Sequence, residues 1–333
     1  MKLIIQIPCF NEEMTLPQTI ADLPKSIEGI DEIEYLIIND GSTDDTVEVA
    51  KGLGVNHIVN LIQNKGLAQC FLSGIDACLH LGADIIVNTD ADNQYCGDDI
   101  CKLVIPILQM KADIVIGQRP IDETDHFSWN KKMLQHFGSF VVRLASNTDV
   151  PDATSGFRAY SREAALRINV INEYTYTLET IIQAGRNNGT IISVPIHTNP
   201  DTRKSRLFSN MWTYILRSVV IIVRSFMMYK PLRFFGVLGM TSIVTGVVLG
   251  IRFLIYYING YGAGHIQSLI LVAILILLGV QAVIAGLQAD LVASNRKILE
   301  DIQYRIRSFE CEQSSNMDRS VKYESSSARR KLF

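Results

Sequence analysis

"ADIIVNTDADNQY", residues 83–95, runs from an apolar segment straight into a cluster of polar side chains. The apolar part is short and rich in β-branched residues, as in a strand buried on both faces. Asp90 and Asp92 follow it, one residue apart. Carboxylates are seldom set at the end of a core strand unless something there uses them. Sheets of parallel strands bind ligands just outside their carboxyl ends. The stretch therefore predicts an α/β fold and the edge of the sheet at which its site lies.

Working outward, similar runs occur at "LIIQI" (3–7), "EYLIIN" (34–39), "NHIVN" (56–60) and "ADIVIG" (112–117), with helix-like segments near 12–23, 44–52, 66–81 and 97–109. Strands separated by helices of this length imply a mostly parallel, Rossmann-like sheet covered on both faces. Further on, a helix is expected over 129–146, a loop at "TDVPDATSGFRAYS" (148–161), a helix over 174–187 ended by Gly189, and a last apolar segment "TIISVPI" (190–196). Residues 1–200 form one α/β domain on this reading.

The rest of the chain has a different composition. Residues 1–200 hold 14 Lys and Arg against 26 Asp and Glu, a net −12, whereas 201–333 hold 17 against 8, a net +9, giving the overall −3. A basic section of this kind suits an anionic lipid surface, and no nucleic-acid partner is expected. The six cysteines (Cys9, Cys70, Cys78, Cys96, Cys101, Cys311) show neither a CxxC pair nor zinc spacing and read as free thiols. The apolar run in "MKLIIQIPCF" is too short for a signal peptide and reads as a first strand. In 201–232, Arg206, Arg217 and Arg224 recur at intervals of 11 and 7, the pattern of amphipathic helices lying in a membrane interface. Two apolar runs follow, 234–258 and 266–291, within a hairpin assigned to 233–292. A helix of about 25 residues reaches roughly 37 Å, enough to cross a hydrocarbon core of about 30 Å. Lys230 and Arg233 precede the pair, Arg296, Lys297, Arg305 and Arg307 follow it, and the connecting "NGYGAGH" has neither Lys nor Arg. The positive-inside rule then places the first domain and both termini in the cytoplasm. Residues 293–333 are expected to form a cytoplasmic helix and, from about 309, a polar, Ser-rich disordered tail.

The chemistry is carried by the strand-end loops. Asp90 and Asp92 can turn toward one divalent cation, and hard oxygen ligands suit Mg²⁺ or Mn²⁺ held jointly by protein and substrate phosphates. Gln94 adds a neutral oxygen or orients a metal-bound water, although a lone D-x-D also fits helix capping. Pro8 and Phe10 beside Glu12 suit packing on, and bonding to, a base or ribose. Asp40 suits a base N–H, with Gly41 making a tight turn and Ser42 to Asp44 capping a helix. Lys65 and Gly66 open a helix, a suitable place for anionic oxygens. The absence of a GxxxxGK[ST] loop argues against a P-loop ATPase.

"IPCFNEE", "INDGSTDDT", "NKGLA", "DADNQ", "IGQR" and "DATSGFRAYSREA" stand in this order and spacing, and together they resemble a family 2 glycosyltransferase of the GT-A fold. More narrowly, the chain resembles the membrane-anchored polyprenyl-phosphate glycosyltransferases related to dolichol-phosphate mannosyltransferase. The resemblance implies Pro8, Phe10, Glu12, Ile38 and Asp40 at the nucleoside, Asp90, Ala91 and Asp92 at the ribose and diphosphate, and Asp92 with Gln94 at the metal. It puts Arg119 at the phosphates and a basic loop, Arg203 to Arg206, at the lipid phosphate. Asp152 is expected to orient the sugar or an arginine such as Arg158 rather than to take a proton. The implied reaction is an inverting, metal-dependent transfer from a nucleotide-diphosphate sugar to an undecaprenyl or dolichyl phosphate at the cytoplasmic face, with oligomeric state left open. Two rival readings are a transferase with a glycan or glycolipid acceptor, and a non-catalytic nucleotide-sugar scaffold. Chain-extending synthases usually carry more spans and a QxxRW motif, which this chain lacks, and intact Asp90, Asp92 and Arg119 speak against a scaffold.

Overall fold

The computed structural model describes residues 1–120, 148–170, 176–199, 224, 227, 231–260 and 266–330, the side chains of 186 and 314–330 excepted. Two compact units are present, Met1–Thr213 with Glu300–Phe333, and Tyr214–Leu299.

The first unit is built on a seven-stranded sheet. Its strands are β1 (Lys2–Cys9), β2 (Glu32–Asn39), β3 (His57–Asn60), β4 (Ile85–Asn88), β5 (Ile114–Gln118), β6 (Arg158–Ser161) and β7 (Ile191–Pro195). They lie in the order β3-β2-β1-β4-β6-β5-β7. β1 pairs in parallel with β2 and β4, as do β2 with β3 and β5 with β7. Leu3, Ile4, Ile5 and Ile7 are fully buried, so both faces of β1 are covered, which is why it reads as an apolar run broken only by Gln6. The interleaved helices are α1 (Leu16–Asp22), α2 (Thr46–Gly52), α3 (Leu67–His80), α4 (Ile100–Leu108), α5 (Arg162–Arg167) and α6 (Thr177–Arg186).

One part of the expected loop at 148–161 is instead a strand. β6 runs antiparallel between β4 and β5. Its first residue, Arg158, is fully buried, which is what hides the strand in the sequence. The guanidinium donates to Ser155 O, Thr177 O, Ala153 O and Thr180 Oγ1 at 2.8–2.9 Å. Because β6 is antiparallel, its lead-in, 152–157, reaches the same sheet edge as the carboxyl ends of β1, β2, β4 and β5. Ser161 then caps α5, its Oγ accepting from Ala164 N.

The second unit contains α7 (Pro231–Ile258) and the first part of α8 (Ile266–Arg330), both long and apolar enough to cross a membrane. Their seam is made by small residues. A Cβ on Gly239 would lie 2.6 Å from Gly279 O, one on Gly279 would lie 2.8 Å from Gly239 O, and Ser242 Oγ donates to Leu275 O at 2.8 Å. Close approach at glycines with interhelical hydrogen bonds is how helices associate in lipid. Val237, Leu238, Val248, Leu277 and Leu278 face outward.

α8 does not stop near 292, nor does helix give way to an irregular tail from about 309 as the sequence reading expects. It runs on to Arg330, with no Gly or Pro after Gly286 to end it. From Glu300 onward it belongs to the first unit. Tyr304 Oη lies 3.1 Å from both Glu163 oxygens, Arg307 Nη2 pairs with Asp76 Oδ1 at 3.0 Å, and Cys311 is buried. The expected helix over 129–146 and the basic loop at 201–206 lie outside the described residues, as does most of 207–230.

Candidate active site

The polar edge begins in the core. Gln6 Nε2 on β1 donates to Asn88 Oδ1 on β4 at 2.9 Å, and Asn88 Nδ2 donates to Gly156 O and Tyr176 Oη, each at 2.9 Å. Both amides are fully buried and bonded, so β4 ends in a fixed position. Asp90 comes two residues later. A Cβ on Gly156 would sit 3.2 Å from both Asp90 oxygens and 3.1 Å from Tyr176 Oη, so a glycine lets the β6 lead-in approach this carboxylate. Tyr95 Oη accepts from Gly156 N at 3.3 Å and is hydrogen-bonded to Asp90. Its ring stacks on Phe157 with centroids 4.8 Å apart.

Burial, and then the neighbouring Asp92 charge, raise the Asp90 carboxyl above its ordinary range, with Arg119 and Tyr95 acting against them. A carboxylate whose charge is disfavoured by burial and by a neighbouring carboxylate is in the situation a divalent cation relieves. Asp92 Oδ1 also accepts from Gln94 N at 3.2 Å, which turns the second carboxylate back over its own loop. Among the described residues there is no cluster of three or more His, Cys, Asp or Glu side chains arranged to hold a metal. Asp90 and Asp92 therefore fit Mg²⁺ or Mn²⁺ as a pair that leaves most coordination to phosphate oxygens and water.

Arg119 follows β5. Its Nε and Nη2 donate to Asp152 at 2.8 and 3.0 Å, and Nη2 also donates to Thr154 Oγ1 at 2.8 Å. Asp152 is buried, which alone would raise its carboxyl, but Arg119 outweighs this and holds it below its ordinary range. Asp152 is thus a permanent anion that fixes a guanidinium, and the guanidinium is Arg119. The expected pairing with Arg158 is not made, because Arg158 is used up on the carbonyls that shape the β6 lead-in.

The loops after β1 and β2 reach the same sheet edge, and two residues expected there, Ile38 and Asp40, turn inward. Phe10 is 40% exposed, Pro8 half-buried and Glu12 buried beside Thr15, whose hydroxyl donates to Glu12 Oε2 at 2.7 Å. Ile38, expected at the nucleoside, is fully buried under α3, where Gly74 leaves room for it. Its side chain faces the core and not the edge. Asp40 is buried and accepts from Lys65 N at 2.8 Å and Gly66 N at 3.0 Å, so its carboxylate braces the start of α3. Gly41 has φ +68, and a Cβ there would lie 2.6 Å from Gln63 C. Lys65 is exposed, while Ala91 is buried with its carbonyl accepting from Thr19 Oγ1 at 2.9 Å. Arg203 and Arg206 lie outside the described residues. Asn88, Tyr95 and Gly156 complete the site; all three lie within the motifs quoted above, but nothing in their spacing marks them.

Residues 4–168 match the family described as glycosyl transferase family 2. The chain is 31% identical over 216 residues to UDP-N-acetylglucosamine–dolichyl-phosphate N-acetylglucosaminyltransferase of Methanococcus voltae, covering 58% of this chain and 83% of that one. It is 25% identical over 204 residues to polyprenol monophosphomannose synthase of Mycolicibacterium smegmatis, covering 58% and 76%. In fold it is similar to glucosyl-3-phosphoglycerate synthase from Mycobacterium tuberculosis, solved with Mn²⁺, UDP and glucosyl-3-phosphoglycerate, at a TM-score of 0.53 and 17% identity over 68% of this chain and 78% of that one.

Proposed function

From the premise that the chain belongs to glycosyltransferase family 2, we propose that it moves a sugar from a nucleotide-diphosphate sugar to a polyprenyl phosphate at the cytoplasmic face of a membrane. The observation that carries this reading is the pair Asp90 and Asp92 set beside Arg119 at the sheet edge. That is an anionic cation site adjoining a fixed guanidinium, as a sugar diphosphate requires. The acceptor is supported by two relatives, one named for transfer to dolichyl phosphate and the other for making polyprenol monophosphomannose, and by two helices able to span a bilayer.

An acceptor phosphate oxygen attacks the anomeric carbon from the face opposite the leaving nucleoside diphosphate, so configuration inverts. A phosphate monoester carries about −1.5 to −2 charges at neutral pH, so no strong base is needed. Asp152 accordingly serves by orienting Arg119 toward the diphosphate. A bound Mg²⁺ or Mn²⁺ would offset charge growing on the leaving group. Phe10 and Glu12 hold the nucleoside, and Arg203 with Arg206 receive the lipid phosphate.

The test is to incubate purified chain with candidate nucleotide sugars and Mg²⁺ or Mn²⁺, with and without polyprenyl phosphate, and to weigh the lipid product. Nucleoside diphosphate is expected only when the lipid phosphate is present, and Asp92→Asn should abolish transfer while leaving the fold intact. Release indifferent to the lipid, or near-normal turnover by Asp92→Asn, would sink the reading.

A further inference from the structure

Asn199 lies outside the D-x-D motif, four residues before Arg203. Its backbone N–H donates to Gln94 O at 2.9 Å. Its side-chain Nδ2 donates to Asn93 O at 3.0 Å and to Tyr95 O at 3.4 Å. The preceding residues extend the contact. Thr198 forms an antiparallel bridge with Tyr95, His197 O accepts from Cys96 N at 3.5 Å, and Asp99 Oδ2 accepts from His197 N at 2.5 Å. One residue thus holds three successive carbonyls, Asn93 to Tyr95. Asn93 is buried with φ +55, a backbone conformation that a non-glycine residue keeps only when its surroundings fix it.

What the loop presents depends on that grip. Gln94 N is the group that bonds Asp92 Oδ1, and the Tyr95 phenol is the group that bonds Asp90 and Gly156 N. A shift in the Asn93–Tyr95 backbone therefore moves both carboxylates together. We propose that Asn199 is a positioning residue for the donor: it sets Asp90 and Asp92 in the arrangement that takes a divalent cation with a nucleoside diphosphate, while touching neither. The inference rests on the donor reading given above. It also assigns the segment after β7 a task on the donor side, immediately before the chain enters the basic run at Arg203.

The test is calorimetry on the full chain in detergent, using whichever of UDP and GDP the unmodified protein binds, once with Mn²⁺ and once with EDTA. Asn199→Asp is isosteric but turns an oxygen toward carbonyls that were accepting hydrogen bonds. Losing such bonds should weaken Mn²⁺-dependent binding about 10- to 100-fold and change binding in EDTA less than about twofold. Asn199→Ser, whose hydroxyl can donate one bond, should fall between, and it decides the question alone should Asn199→Asp not fold. An equal loss with and without Mn²⁺ would mean that Asn199 is only a structural staple, and no loss in either variant would mean that it does not position the loop. Both results overturn the proposal. If the unmodified chain binds neither diphosphate more tightly with Mn²⁺, it is the donor reading that fails, whatever Asn199 does.

Discussion

Asp90 shows how a site residue works against the fold that holds it. Burial and the Asp92 charge raise its carboxyl above the ordinary range. An acid whose folded-state pKa lies above its unfolded value destabilises the fold at higher pH. The penalty is absent below the unfolded value and complete once the pH has passed the folded one. Asp90→Asn should therefore stabilise the metal-free protein at pH 8 while abolishing transfer. Every tenfold by which folding weakens the acid costs about 1.4 kcal/mol. Relieving that much should raise the melting temperature by about 3–6 °C for a domain of this size. The rise should shrink as the pH falls toward the ordinary carboxylate range. A melting temperature that drops in Asp90→Asn, or a gain that persists in acid, would show that the carboxylate is not under this tension. At this scale the sequence disclosed the charged groups, because Asp90, Asp92 and Arg119 each lie a few residues past an apolar run. It did not disclose what Asp40 and Asp152 spend their charge on. Nor did it disclose Tyr95 and Asn199, whose partners are 61 and 106 residues away along the chain. Spacing carries no signal for a bond of that length.

Elements were legible where their periodicity was pure. The strands buried on both faces and the first apolar helix stand within a few residues of their expected places, and the second apolar helix starts where expected but runs past its expected end, since an apolar run has one stable environment in each case. β6 was hidden because four residues beginning with an arginine do not alternate, and its antiparallel direction follows from a neighbour and not from itself. The seam of α7 and α8 was equally silent, because glycines inside a span read as ordinary apolar sequence. Its energetics can be separated from helix propensity by two alanines. On Gly279 a Cβ would meet Ile243 and, at 2.8 Å, the Gly239 carbonyl, whereas on Gly236 it would meet nothing within 4 Å. Gly279→Ala should cost about 1–3 kcal/mol through overpacking, read as a lower melting temperature in detergent. Gly236→Ala should be neutral or slightly stabilising. Equal responses at the two positions would mean that the helices do not meet along this glycine seam.

At the scale of the whole molecule, the acceptor proposed above would constrain which side of the membrane each segment occupies. A polyprenyl phosphate keeps its chain in the bilayer and its phosphate at the surface, so a domain that uses it must stay on one face. The segment that follows the second apolar helix returns to the catalytic unit. Tyr304 bonds Glu163, the Arg167 guanidinium stacks over the Tyr304 ring at 4.2 Å, and Arg307 bonds Asp76 and the Ile168 carbonyl. Positions 304, 307 and 311 share one helix face, and the contacts they make join the end of α8 to Asp76, Glu163, Arg167 and Ile168 of the first unit, as the proposed two-span topology expects. Two crossings satisfy this and one does not. The charges agree, with Lys and Arg flanking the pair and none in 259–265. A membrane-impermeant thiol reagent applied to sealed right-side-out cells is therefore expected to label a cysteine placed at Asn259, whereas one placed at Ser26 or Ser308 should react only after the membrane is opened. Cysteines at Asn259 and Ser308 that react from the same side would overturn the proposed two-span arrangement and, with it, the proposed cytoplasmic placement of the transfer site.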